Sequence, residues 1–135
     1  MTKKSAKSAR ITVNGYDLST AAVSYEVVEG YNAEDATGFQ QGVQNFAPGQ
    51  AHQEVTVDFL YDDYGASGSF SILKALVGST SPFPVTVRPV PDGQTFTLQA
   101  IMDGGITVAG ESKGGLTKLG SVKFVPGSGT LGTWA

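Results

Sequence analysis

Residues 53–61 read QEVTVDFLY, and their alternation decides the fold. Val55, Val57, Phe59 and Tyr61 fall on one side of an extended chain; Glu54, Thr56 and Asp58 fall on the other. Successive side chains of a strand point to opposite faces. One apolar and one polar face therefore predict antiparallel sheet with one side on a core and the other in water. The rhythm returns upstream at 21–29, where Val23, Tyr25 and Val27 oppose Ser24, Glu26 and Val28. It returns downstream at 95–102, where Phe96, Leu98, Ala100 and Met102 oppose Thr95, Thr97 and Gln99.

Working outward, residues 11–13 and 16–18 flank Asn14-Gly15, the strongest short hairpin signal. Residues 68–77 break the period of two. Phe70, Leu73, Leu76 and Val77 recur at helical spacing with Ile72 beside them, Ser67 or Ser69 stands ready to cap the start, and Gly78 ends the run. The spacing predicts one short amphipathic helix packed on the sheet. Residues 83–90 read as a strand bracketed by Pro82, Pro84, Pro89 and Pro91, which suits a sheet edge or strand ends and not a central strand. Further strands are expected at 106–108 and 119–125, and the tail GSGTLGTWA reads as turn-like and loose until something binds it. The fold class is mainly β: an antiparallel sandwich or half-barrel with one short flanking helix and a long loop.

That loop is 30–52, without a helix or strand pattern. Compact domains seldom keep so long a structureless connection unless it does something. Tyr31, Phe39, Val43 and Phe46 punctuate it, and exposed aromatics on a long loop suggest docking to a partner; a loop folded back on its own domain is the alternative.

The chain of 135 residues is one domain's worth, 40% hydrophobic, with 16% charged residues and 18 glycines. Low charge and high glycine fit a turn-rich β protein and argue against bundles and coiled coils. The absence of cysteine excludes disulfide scaffolds and thiolate chemistry, and the single histidine, His52, excludes a multi-histidine metal site. The net charge of -3 is unevenly spread. Lys3, Lys4, Lys7 and Arg10 make residues 1–10 a basic, patternless stretch, read as a flexible arm rather than a secretory signal, with the domain at 11–135. Residues 11–73 contain no Lys or Arg and nine acids. A folded body of that sign does not grip DNA phosphates, but it suits one that must repel them. No apolar stretch is long enough to span a membrane as a helix.

The chemical motifs are weak. Residues 127–132 spell GxGxxG, but no helix follows, so a dinucleotide site is not expected. Asp58, Asp62 and Asp63 lack calcium-loop spacing and read as a solvated strand end. His52 has no orienting acid at a known spacing, and Tyr61 with Tyr64 is a minor signal for stacking on sugars. No nucleophile–base pair is visible, so neither enzyme activity nor a cofactor is expected.

The run Asp35-Ala36-Thr37-Gly38-Phe39, followed by Phe46-Ala47-Pro48-Gly49 and an alternating strand, resembles the major tail tube proteins of long-tailed bacteriophages. In that family an acid, small residues and Thr open a long loop, and Pro-Gly closes it. The order of elements over residues 11–125 is similar too. Some members carry a further immunoglobulin-like domain, which this chain is expected to lack. The resemblance implies six-subunit rings whose joined sheets line a bore, stacked into a virion tail tube assembled in the host cytoplasm. Its partners would be further copies of itself and other tail proteins (tape measure, terminator, distal tail), with DNA only passing through.

On that footing Tyr31, Asp35, Thr37, Phe39, Phe46 and Pro48, with Lys3, Lys4, Lys7 and Arg10 of the arm, are expected at subunit and ring interfaces. Ser24, Glu26, Glu54, Thr56, Asp58, Thr97 and Gln99 are expected to face the lumen as an acidic and hydroxylic wall without cations. Two other classes stay open: another ring-forming virion or secretion-tube component, and a carbohydrate-binding sandwich.

Overall fold

In a computed structural model, described for residues 8–38, 42–44, 46–61, 68–110, 112 and 115–135, the alternating stretches become one open antiparallel sheet of eight strands. The elements run β1 (Arg10–Val13), β2 (Tyr16–Asp17), β3 (Ala22–Asp35), β4 (Phe46–Leu60), α1 (Ser69–Leu76), β5 (Phe83–Arg88), β6 (Phe96–Asp103), β7 (Lys118–Pro126) and β8 (Thr133–Trp134). The spatial order is β2-β1-β5-β6-β7-β4-β3, with β8 pairing β6 off that path. The mainly β fold with a short flanking helix is as the periodicities predict, and the strands form a single sheet rather than two stacked ones.

The core lies on one face of this sheet. Val13, Val85, Val87, Phe96, Leu98, Val122, Phe124, Val55 and Val57 are fully buried on it, and Ile72, Leu73 and Leu76 of α1 join the same cluster. The helix start differs from expectation, while Gly78, at φ 76°, follows the Val77 C-cap and ends the run as expected. Gly68 is the N-cap and makes no side-chain bond; Ser69, wholly buried, donates its hydroxyl to the Leu60 carbonyl at 2.7 Å and ties the helix start to the end of β4. Asn14 and Gly15, with φ of 53° and 85°, make the left-handed pair that a tight β1–β2 hairpin needs.

Several expectations are corrected. β5 sits inside the sheet, between β1 and β6. Pro84 is tolerated there because its ladder with β1 stops at Val85; Pro84 only accepts, through its carbonyl, from the Asn14 N–H at 2.8 Å. Residues 106–108 are not a strand; that segment meets β7 through the Thr107 N–H, which donates to the Leu119 carbonyl at 3.3 Å, and one bridge, Ala109 with Lys118. β1 takes up Arg10, the last residue of the stretch read as an arm. On β3 a register shift between Ala22 and Ser24 leaves Val23 65% exposed, off the apolar face assigned to it.

The largest correction concerns 30–52. Most of it is strand. β3 and β4 continue as one hairpin whose ladder reaches Tyr31 opposite Ala51, and after a second register shift Ala33 opposite Pro48 and Asp35 opposite Phe46. The run escapes period-two reading because neither face of its outer half covers a core, so nothing selects apolar residues at alternate positions.

The tail is not loose either. β8 pairs Phe96 with Trp134 and Thr97 with Thr133, and Ala135 and Thr95 exchange backbone bonds at 2.8 and 3.0 Å. The glycine string has a structural reason. A Cβ on Gly132 would lie 2.7 Å from the Thr97 carbonyl oxygen, and one on Gly127 would lie 3.2 Å from the Ile101 nitrogen, so the turn between β7 and β8 presses flat on β6. Gly132→Val is expected to lower stability by ~1–3 kcal/mol through this overpacking, read as a lower urea midpoint, whereas Gly42→Ala, in open space, changes little.

Candidate assembly surfaces

Two surfaces stand out: the polar face of the sheet and the outer half of the β3–β4 hairpin. Residues directly opposite on neighbouring strands share a face, so the register assembles the first surface from all eight strands. One row runs Asp17, Thr12, Thr86, Thr97, Thr133 across β2, β1, β5, β6 and β8. The Thr12 and Thr86 hydroxyls are bonded to each other. A second row runs Ser24, Asp58, Ser121 across β3, β4 and β7, and a third runs Glu26, Thr56, Lys123, Asp103. The structure thus brings Ser24, Glu26, Thr56 and Asp58 into adjacent rows and puts Thr97, with Gln99 two residues along, on the same face of β6.

The expected absence of cations from this face is corrected. Lys123 Nζ lies 3.2 Å from Glu54 Oε2, and the Lys118 charge acts on Asp58. At the far edge Arg10 stands opposite Arg88, with its guanidinium 2.9 Å from Asp17. Acids and cations alternate toward β3, while the middle of the face is hydroxylic. Sequence reading missed Thr12, Thr86, Ser121 and Lys123 because only the strand register places them, Thr12 opposite Thr86 and Ser121 and Lys123 opposite β4. The alternation of β5 and β7 was the available signal, with Phe83, Val85 and Val87 set against Thr86.

Three carboxylates are held well ionised by donors. The Ser121 and Ser24 hydroxyls both donate to Asp58, Ser24 at 2.8 Å, and together with Lys118 they lower its pKa. Asp17 is lowered chiefly by the hydroxyl and N–H of Ser19, with Arg10 adding to it. Asp35 is lowered chiefly by Thr37, whose N–H donates to it at 2.9 Å, and also by Gln44. A depressed folded-state pKa contributes stability that is complete above the unfolded value, near ~3.9, and is lost as pH falls through the folded value. Unfolding free energy should therefore hold through neutral pH and decline below about pH 4. Asp58→Asn should make that acid limb shallower, as followed by urea titrations at successive pH values.

The second surface is the hairpin arm. Tyr31 is 63% exposed, Phe46 54% and Val43 80%. Tyr31 continues the alternation of Tyr25 and Val27 beyond the point where the core ends. Asp35 closes β3 by accepting from Thr37, so the acid-small-Thr run is a turn that starts the tip. Pro48 lies within β4 opposite Ala33. At Gly49 a Cβ would run into the Glu34 carboxylate, which lies over this point of β4. Phe39, Lys3, Lys4, Lys7, Asp62, Asp63 and Tyr64 lie outside the described residues.

Among the described residues, no group of three or more His, Asp or Glu side chains is placed to hold a metal, and no helix is long and apolar enough to cross a membrane. His52 stands opposite Gly30 at the root of the arm, its ring against the glycine.

No family model and no curated protein matches the chain. Solved structures do. A chain from the virion of a native gene transfer agent particle superposes with a TM-score of 0.78 at 9% identity, covering 98% of this chain and 99% of that one. The SPP1 Dit protein, described as a paradigm of hub adsorption apparatus in Gram-positive infecting phages, superposes with a TM-score of 0.53 at 16% identity; the match covers 89% of this chain and half of that one. At these identities the likeness is one of fold, and the fold is one that virion components use.

Proposed function

We propose that this protein is a structural virion component whose subunits form rings that stack into a tail tube, a conduit for the genome. The observation that carries this reading is the end-to-end likeness of its fold to a chain of a gene transfer agent virion. Two features support it. The β3 edge and the arm offer strand without a further ladder partner among the described residues, and exposed Tyr31 and Phe46, to a neighbouring copy, and strand addition is the ordinary way to cover such an edge. The sheet face away from the core is mainly polar, as a wetted wall requires. Negative-stain microscopy of the concentrated protein tests it: open-ended tubes are expected, and a persistent monomer sinks it. The likeness to the Dit hub favours a second reading, a closed ring at the end of a tail, which the same images would reveal as single rings of fixed size.

If the polar face lines the bore, its cations must not hold phosphates. Glu54 holds Lys123 at 3.2 Å. Glu54→Gln is expected to free that ammonium and confer DNA retention on assembled tubes, with affinity falling steeply as salt rises. Binding no stronger than that of the parent, at low salt, would remove the bore assignment from this face.

A further inference from the structure

β7 parts from β4 early. Its last register partner on β4 is Val55, opposite Phe124, and outward from there the ladder of β4 is with β3. Across the gap, β6 pairs with β7 only from Ala100 onward. The C-terminal segment fills the space between. On one flank Gly127 N–H donates to the Gln99 carbonyl at 3.0 Å, β8 pairs with the start of β6, and the Trp134 ring sits 5.1 Å from that of Phe96.

On the other flank the contact is made by two side chains. Gln53 accepts the Gly132 N–H at 2.6 Å and donates to the Gly132 carbonyl at 3.2 Å and to Glu29 at 2.7 Å. The second Glu29 oxygen accepts the Trp134 indole N–H at 2.9 Å. Gln53 is one of only two buried polar side chains among the described residues. Glu29 and Gln53 are also register partners, and they stand where β3 and β4 leave the core to become the arm. The tail is thus bonded to both strands of the arm at their root.

We propose that residues 127–135 are a brace that fixes the angle at which the arm leaves the sheet, with Gln53 and Glu29 as its positioning residues. A two-stranded ribbon alone twists and bends readily, whereas a third element on one flank stops it swinging about the root. The brace is a two-residue strand with a Trp134 that is 37% exposed, which puts it among the parts that open before the core does. That the braced pose is the one that docks on a second copy of this chain rests on the assembly reading above; the brace itself does not.

Hydrogen exchange on the dilute, unassembled full-length protein tests it. Gln53→Leu keeps an apolar-compatible side chain in the buried site and removes the three bonds that Gln53 makes, leaving only the Trp134–Glu29 bond of the clamp. Arm amides at 30–35 and 46–52 are expected to exchange at least ten-fold faster, while amides at 119–124 keep their protection. Glu29→Gln, which retains an acceptor for Trp134, should give a smaller change. Should Gln53→Leu not fold, Trp134→Ala supplies the same comparison from an exposed position. Arm protection equal to the parent's, with only the tail's amides released, overturns the brace. Failure of the unmodified protein to form tubes would overturn the assembly reading and leave the exchange result to decide the brace.

Discussion

The double substitution Tyr31→Ala, Phe46→Ala should leave a subunit that folds and melts like the parent yet forms no tubes at concentrations where the parent does. Both rings are more than half exposed, so the monomer loses little; surface changes of this kind stay within about 0.5 kcal/mol. Phe46 keeps its backbone pairing with Asp35 whatever its side chain, so the arm's ladder survives. On the assembly reading the same rings would be buried anchors, each worth ~2 kcal/mol or more when truncated. Two of them at one contact raise the concentration needed for assembly roughly a thousand-fold, since each 1.4 kcal/mol is a factor of about ten. Turbidity and negative-stain images over a concentration series measure this. Tubes at the parental threshold would remove the arm from the interface, and loss of the folded monomer would show that the rings serve their own domain.

How far the sequence discloses such a surface depends on what shapes each position. Where one face of a strand is buried, the requirement to exclude water writes the alternation directly, as in Val55, Val57 and Phe59 or Phe96, Leu98 and Ala100. Asn14-Gly15 is legible because few residues tolerate its left-handed backbone. The outer arm has no such imprint. Tyr31 and Phe46 are visible as aromatics, but not as members of opposed strands, because no core constrains the residues between them. Register is the other hidden quantity. Lys123 lies far along the chain from Glu54 and meets it only because β7 pairs with β4, so local charge counting describes a cation-free wall that the sheet then supplies with cations. The tail misleads for a related reason. Gly127 and Gly132 look like punctuation, and their meaning, the close approach of two backbones, belongs to β6.

Phe124→Ala should produce the largest loss of stability of any single change considered. Phe124 is fully buried on β7, flanked by Val55 of β4 and Met102 of β6, and its ring meets Phe83 edge-on at 5.9 Å. Removing a buried phenyl costs ~3–5 kcal/mol, the sum of lost transfer energy and the cavity left behind. Collapse around that cavity is hindered because ladders on both sides fix the spacing of β7 and the core cluster that includes α1 packs the same face. Against a total of about 5–15 kcal/mol for a domain, this is a large share, and the melting temperature should fall by roughly 10 °C or more. The urea midpoint should drop with an unchanged slope, which marks lost stability rather than an altered unfolded state. A loss below about 1 kcal/mol would mean that the face around Phe124 is packed loosely. Assembly supplies a second reading of the same variant. A polymer that takes up only folded subunits stabilises them by mass action, so the deficit measured in dilute monomer should shrink as concentration rises into the range where tubes form. A deficit independent of concentration would separate the fold, which Phe124 supports, from any self-association of the chain.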